Sequence, residues 1–187
     1  DLTAWNFTGP GWAYAPQPDG SSRLLVFNSS APAFYPSIVA ADVAVETTVD
    51  VSAGTAHLYA RHSGAFGYEA RLTPTGEVIL LRAGAIMSAT ALPDFTASTP
   101  HRLRLNVVGS RLWIEMDGAA VLVVDDPAPL PPGRTGLSAS FVPLPELVTP
   151  MPPQNQVAFA AFTLYQPAEQ VTPTAQPSLT PTPYELG

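Results

Sequence analysis

The stretch from His101 to Asp126, HRLRLNVVGSRLWIEMDGAAVLVVDD, constrains the fold more than any other part of the chain. Apolar and polar residues alternate from Arg102 to Val108 and from Arg111 to Asp117. Each run stops at a two-residue turn signal, Gly109-Ser110 and then Asp117-Gly118. The pattern predicts three antiparallel strands in a meander. With Gly109-Ser110 as a hairpin loop, Leu103 lies opposite Met116, Leu105 opposite Ile114 and Val107 opposite Leu112, which makes one face apolar. The other face sets Arg102 against Asp117, Arg104 against Glu115 and Asn106 against Trp113, so both charged pairs have opposite signs. A slip of one residue would exchange the two faces and lose every pair.

The rest of the chain follows the same period. Residues 42–51, DVAVETTVDV, put Val43, Val45, Thr47, Val49 and Val51 on one face and Asp42, Glu46 and Asp50 on the other. Further strands are expected at 11–15, 23–28, 37–40, 56–62, 66–73, 77–83, 86–92, 136–142 and 156–165, with no helical stretch between them. This is the signature of an all-β, two-sheet antiparallel sandwich. Residues 127–136, PAPLPPGRTG, read as a Pro-rich crossover outside any sheet interior. Residues 143–155, PLPELVTPMPPQN, form an apolar connection long enough to be a packed flap or a contact surface. The expected organisation is a sandwich domain over 1–166 and a Thr/Pro-rich extended tail or linker over 167–187, with Thr172, Thr174, Thr180 and Thr182 as glycosylation candidates.

Composition removes several functions. A net charge of -7, with 8 basic residues that are all Arg, leaves no basic patch for nucleic acid or an anionic membrane. No apolar run approaches the roughly 18 to 20 residues of a membrane span. Without cysteine there is neither a disulfide framework nor a thiolate metal site. The chain opens on Asp1, as a processed product or an excised domain would.

Catalytic motifs are missing: there is no Gly-x-Ser-x-Gly, and His57, His62 and His101 lack zinc-ligand spacing. Glu115 and Asp117 share a strand face, as glycosidase acids would, but each has an expected cross-strand arginine. The expectation is therefore a protein that is not an enzyme and has no metal. The candidate ligand surface is the outer face of the meander, where Trp113, Leu122, Val108 and Val124 would form an apolar patch edged by Arg102, Arg104, Asn106 and Glu115. A tryptophan placed there could stack on a sugar ring while its neighbours bond hydroxyls. A covering loop or a second subunit would use the same patch. A second polar set is His57, Tyr59 and Arg61 on one strand, with Tyr68 on the next.

The order of features also carries a family resemblance. Leu58 to Arg61, Tyr68-Glu-Ala-Arg-Leu72, the Gly76 turn into Val78 to Arg82, Arg102-Leu-Arg-Leu105, Gly109, Leu112 to Asp117-Gly118, Asp125, Gly133, Gly136-Leu137 and Val157 to Leu164 follow one another. From about Ala40 to Tyr165 the chain resembles the concanavalin A-like lectin/glucanase sandwiches, especially bacterial LamG-like and 3-keto-disaccharide hydrolase-type domains. The resemblance implies a jelly roll with neighbouring terminal strands, used for glycan binding on exported proteins. Where laminarinase-like members carry Glu-x-Asp-x-x-Glu, this chain has Glu115-Met-Asp117-Gly-Ala-Ala120, so the third acid is missing. A calcium ion, frequent in LamG-like domains, would need oxygens near Asp94, Asp125 or Asp126; their spacing demands none, and no cofactor is expected. The expected function is a non-catalytic extracytoplasmic module of a bacterial surface protein that binds carbohydrate or another cell-surface component. The alternative is a structural subunit of a filament or envelope complex, with residues 143–155 and 167–187 as its protein contacts; a sugar-active hydrolase using Glu115 is the third reading.

Overall fold

The computed structural model describes residues 6–7, 11–18, 20, 22–27, 31–141 and 156–165, and every regular element among them is a strand. In chain order these are β1 (Asn6–Phe7), β2 (Trp12–Pro16), β3 (Ser22–Phe27), β4 (Ala33–Ala40), β5 (Val43–Asp50), β6 (Thr55–Ser63) and β7 (Phe66–Leu72). There follow β8 (Glu77–Arg82), β9 (Ala85–Ala91), β10 (His101–Val108), β11 (Arg111–Met116), β12 (Ala119–Asp125), β13 (Gly133–Ser140) and β14 (Gln156–Tyr165). They build two antiparallel sheets. The first has the order β1-β4-β13-β6-β7-β8-β9 and the second β12-β11-β10-β5-β14-β3-β2. The late strand β14 lies beside the early strand β3, but the terminal strands β1 and β14, which the resemblance made neighbours, stand in different sheets.

The core lies between the sheets and is filled by alternate residues of each strand. Leu58, Ala70, Leu80 and Leu137 come from the first sheet; Val45, Val49, Leu103, Leu105, Leu112, Ile114 and Phe159 come from the second. The alternation of β5 works as read, with Val43, Val45, Thr47, Val49 and Val51 all buried. Thr47 is tolerated there because its hydroxyl donates to the Ala160 carbonyl at 2.9 Å.

The meander has the expected register between β10 and β11, including Leu105 opposite Ile114 and Arg104 opposite Glu115. The next hairpin departs from it. Past the Asp117-Gly118 turn, Glu115 pairs with Ala120 but Ile114 pairs with Leu122, so Val121 is an extra residue. The bulge turns Leu122 into the core and sets Val123, not Leu122, opposite Trp113. The expected patch of Trp113, Leu122, Val108 and Val124 therefore does not form.

A second departure concerns residues 127–136. Gly133 onwards belongs to β13, which sits inside the first sheet between β4 and β6. The prolines end at Pro132, and Gly133 can enter because a Cβ there would stand 2.3 Å from the carbonyl carbon of Arg61.

One end of the sandwich is latched by Arg61 and Tyr68. Arg61 is buried and takes φ 48, and its guanidinium donates to the carbonyls of Ala41, Leu130 (2.9 Å) and Gly109 (2.9 Å) and to Asp42 (3.2 Å). The Tyr68 hydroxyl donates to Asp126 Oδ2 at 2.6 Å and accepts the Leu130 N–H at 2.8 Å. Arg82 reaches the same Asp126 oxygen at 2.8 Å. Burial alone would raise the Asp126 pKa, but the bonds from Tyr68, the Ala128 N–H and Arg82 hold it below the usual range. Among the described residues, no three His, Cys, Asp or Glu side chains gather into a possible metal site. The segments 143–155 and 167–187, with Thr172, Thr174, Thr180 and Thr182, lie outside the described residues, as does the expected boundary at 166/167.

Candidate functional site

The outer face of the first sheet carries the densest set of charged and aromatic groups. Register places Ser138, His57, Arg71 and Ile79 in one cross-strand row and Phe34, Gly136, Tyr59, Glu69 and Leu81 in the next. Their neighbours in sequence, Leu58, Ala70 and Leu137, are in the core, so these rows face outward. Glu69 is nevertheless only 8% exposed and His57 is buried.

The groups hold one another. His57 Nδ1 is 2.5 Å from Glu69 Oε1, and Arg71 grips the same carboxylate through Nε at 2.7 Å and a second nitrogen at 3.1 Å. On the other side of its ring, His57 Nε2 is 2.8 Å from the Ser140 hydroxyl. The Tyr59 hydroxyl bonds Ser138 Oγ at 2.9 Å. Burial would raise the Glu69 pKa, yet the bonds and charges of His57 and Arg71 outweigh it and hold the group at about 2. Burial and then the Glu69 charge push the Tyr59 phenol up to about 12, against the Ser138 bond. At neutral pH the face thus presents an ionised carboxylate, a neutral phenol and a guanidinium in fixed positions.

Ser140, His57 and Glu69 lie in the order of a nucleophile relay. Arg71 changes what that order can do. It holds the same carboxylate as the imidazole does, so Glu69 is shared between two partners.

Of the second polar set read from the sequence, only His57 and Tyr59 stand here. Strict alternation would have kept Arg61 on the same side, but β6 holds an extra residue relative to β7 and β13 between Ala60 and Ser63. Arg61 turns into the end latch and His62 takes its place outside. Tyr68 alternates with Glu69 and faces inward. The readable signal for the missing members was Glu69-x-Arg71: across the Ser63-Gly64 hairpin these pair with Tyr59 and His57.

The first set, Arg102, Arg104, Asn106, Trp113 and Glu115, is assembled on the outer face of the second sheet, joined by Glu46 and Tyr165. Trp113 is not a platform. It is 7% exposed, and its N–H donates to Glu115 Oε1, two residues along its own strand, at 2.7 Å. Asn106 also donates to Glu115 (3.2 Å) and accepts from Arg104 Nε (2.9 Å), while Arg104 lies 4.7 Å from the Tyr165 ring. Arg102 meets Asp117 through its backbone N–H, and its guanidinium faces Glu46 at 4.0 Å. Tyr165, 39% exposed, is the open ring of this face, and a cleft of about 480 Å³ opens beside it along Ile38 to Val43.

No family model and no curated protein sequence matches the chain. Solved structures match in shape. The carbohydrate binding module CBM66 from Bacillus subtilis has 17% identity and TM-score 0.62 over 86% of this chain and 94% of that one. A Bacillus subtilis protein of unknown function with a galectin-like fold has 13% identity and TM-score 0.63 over 88% and 90%. The β-glucanase of Bacillus licheniformis has 12% identity and TM-score 0.58 over 87% and 95%. At these identities the likeness carries the fold alone: the chain has the two-sheet, concanavalin A-like jelly-roll fold.

Proposed function

We propose that the chain is a non-catalytic carbohydrate-binding module of an extracytoplasmic protein, and that it takes its ligand on the outer face of the first sheet, around His57, Tyr59, Glu69 and Arg71. The observation that carries this reading is preorganisation on an outward face. An ionised carboxylate, a guanidinium, an imidazole, a phenol and two serine hydroxyls are fixed by one another, and the hydrophobic core requires none of them. Sugars are recognised by donors and acceptors already in place, because a site that must order its side chains on binding loses that entropy from affinity. Tyr59 supplies a ring edge beside them. Two structures of the same shape, a carbohydrate binding module and a β-glucanase, support the substrate class. The non-catalytic part rests on the carboxylates. Glu69 is neutralised by Arg71, Glu115 accepts from Trp113 and Asn106, and Asp117 is held by His101 and the Arg102 N–H.

Titration of the full chain against a panel of bacterial and plant polysaccharides tests the reading. Binding should be seen, should weaken about tenfold or more in Arg71→Ala and Tyr59→Ala, and should persist in Trp113→Phe. Absence of binding across the panel, or a ligand unaffected by both first-sheet variants, would overturn it.

A further inference from the structure

One corner of the first sheet is built with more irregularity than a sandwich needs. Between Arg134 and Gly136 of β13, the single residue Thr135 stands against Ala60 and Arg61 of β6 and against Tyr35 to Ile38 of β4. Both strands flanking β13 are therefore bulged at the same level. On the β6 side the bulge requires Arg61 at φ 48, a region that a non-glycine residue occupies at a cost. Its effect is to bring His62 out to the face, opposite Arg134.

There the groups form one cluster. The Phe34 and His62 rings are 4.6 Å apart between centroids, Tyr59 meets His62 edge-on at 5.4 Å, and the Arg134 guanidinium lies 4.6 Å from the Phe34 centroid. Glycines make the space. A Cβ at Gly136 would stand 2.6 Å from Phe34 Cδ1, and one at Gly67 would stand 2.8 Å from His62 Cδ2. His62 Nδ1 and Thr135 Oγ1 are buried without a hydrogen-bond partner among the described residues. Burying them costs free energy that no hydrogen bond among the described residues returns. Bulges, positive φ and unmatched polar atoms together are the marks of a place shaped for a ligand.

The group this corner presents outward is Arg134. Arg61, Arg71, Arg82, Arg102 and Arg104 each have a carboxylate within 4.0 Å, whereas exposed Arg134, like Arg23 and Arg111, has none among the described residues; of these three, Arg134 is the one set over the Phe34 ring at this corner. The Phe34 ring holds the cation by its π face, and a guanidinium so placed can still donate to a planar, bidentate acceptor. Burial and the nearby Arg134 charge both lower the His62 pKa, so at neutral pH the cation here is Arg134 alone.

We infer that Arg134, seated on Phe34 beside His62 and Tyr59, anchors the carboxylate of an acidic saccharide lying on the first-sheet face. The inference rests on the reading of that face as glycan-binding, and it names the chemical class of the glycan. The test uses the full chain, oligogalacturonate and oligoalginate, their carboxyl-reduced counterparts, and a sulfated oligosaccharide of equal length. The uronates should bind about tenfold or more tighter than the reduced forms and the sulfated form. Arg134→Gln should erase the difference while leaving the affinity for the reduced forms unchanged, and Arg134→Lys should restore part of it. Equal binding of uronate and reduced forms, or indifference to Arg134→Gln, overturns the inference and leaves the glycan reading standing. A preference for the sulfated form overturns the carboxylate assignment. No binding to any probe or to the wider polysaccharide panel overturns both.

Discussion

His57 and Glu69 face each other across the β6–β7 hairpin, with Nδ1 of one 2.5 Å from Oε1 of the other and Arg71 closing the opposite side of the carboxylate. The pair bears on stability: burial would raise the Glu69 pKa, but the bonds from His57 and Arg71 hold it at about 2 in the folded chain, against an ordinary 4.5. A depressed carboxylate pKa stabilises the fold above the unfolded value and loses that contribution as pH falls through the folded one. The window is therefore pH 4.5 down to about 2, and the contribution is about 3 kcal/mol. Urea unfolding measured across this range should show a steeper loss of stability in the wild type than in Glu69→Gln. Parallel curves for the two proteins would show that the ion pair does not operate.

Trp113→Ala separates packing from recognition. The indole is nearly covered and bonded to Glu115, so its removal should cost about 3 to 5 kcal/mol, as loss of a large buried aromatic does. Carbohydrate affinity measured under native conditions should not change. A mutant that folds as stably as the wild type but loses its ligand would restore the tryptophan as a sugar platform.

The contrast between Trp113 and Leu122 shows what sequence could and could not convey. The β10–β11 register was legible because alternating residues of opposite character run into a glycine turn, so only one pairing satisfies both faces. The β11–β12 pairing was not. Ala119 to Val124 is uniformly apolar, so an extra Val121 leaves no break in the pattern. The same blindness affected the site. His57, Tyr59 and Arg61 read as one face because period two gives no warning of a bulge, and the reversal of Arg61 and His62 comes from tertiary demands at the sandwich end. Arg134 was hidden differently: the prolines before it marked a crossover, and the strand begins one residue after the last of them.

Arg61 itself should be a stability residue. Arg61→Ala would strand three backbone carbonyls that the guanidinium now serves and release Asp42. The expected cost is about 3 kcal/mol or more, read as a lowered urea midpoint with an unchanged slope. Arg61→Lys should recover little, since one ammonium cannot reproduce a fork that reaches four acceptors. A Lys variant with wild-type stability would mean that the latch needs only charge.

Gly136→Ala tests whether the Phe34 corner is shaped for recognition. A Cβ at this position would lie 2.4 Å from the Ala33 carbonyl oxygen and 2.6 Å from Phe34 Cδ1, so both the β4 backbone and the ring must shift. Overpacking of this kind costs about 1 to 3 kcal/mol. Because the Arg134 guanidinium lies over Phe34, displacing the ring should also weaken uronate binding although no contact group is deleted. Gly64→Ala is the control. Gly64 has φ 60 and open space around it, so alanine there should cost about 1 kcal/mol through backbone strain and leave affinity untouched. If both substitutions lowered stability and neither changed binding, Phe34 would be a packing residue and the seat proposed for Arg134 would lose its foundation.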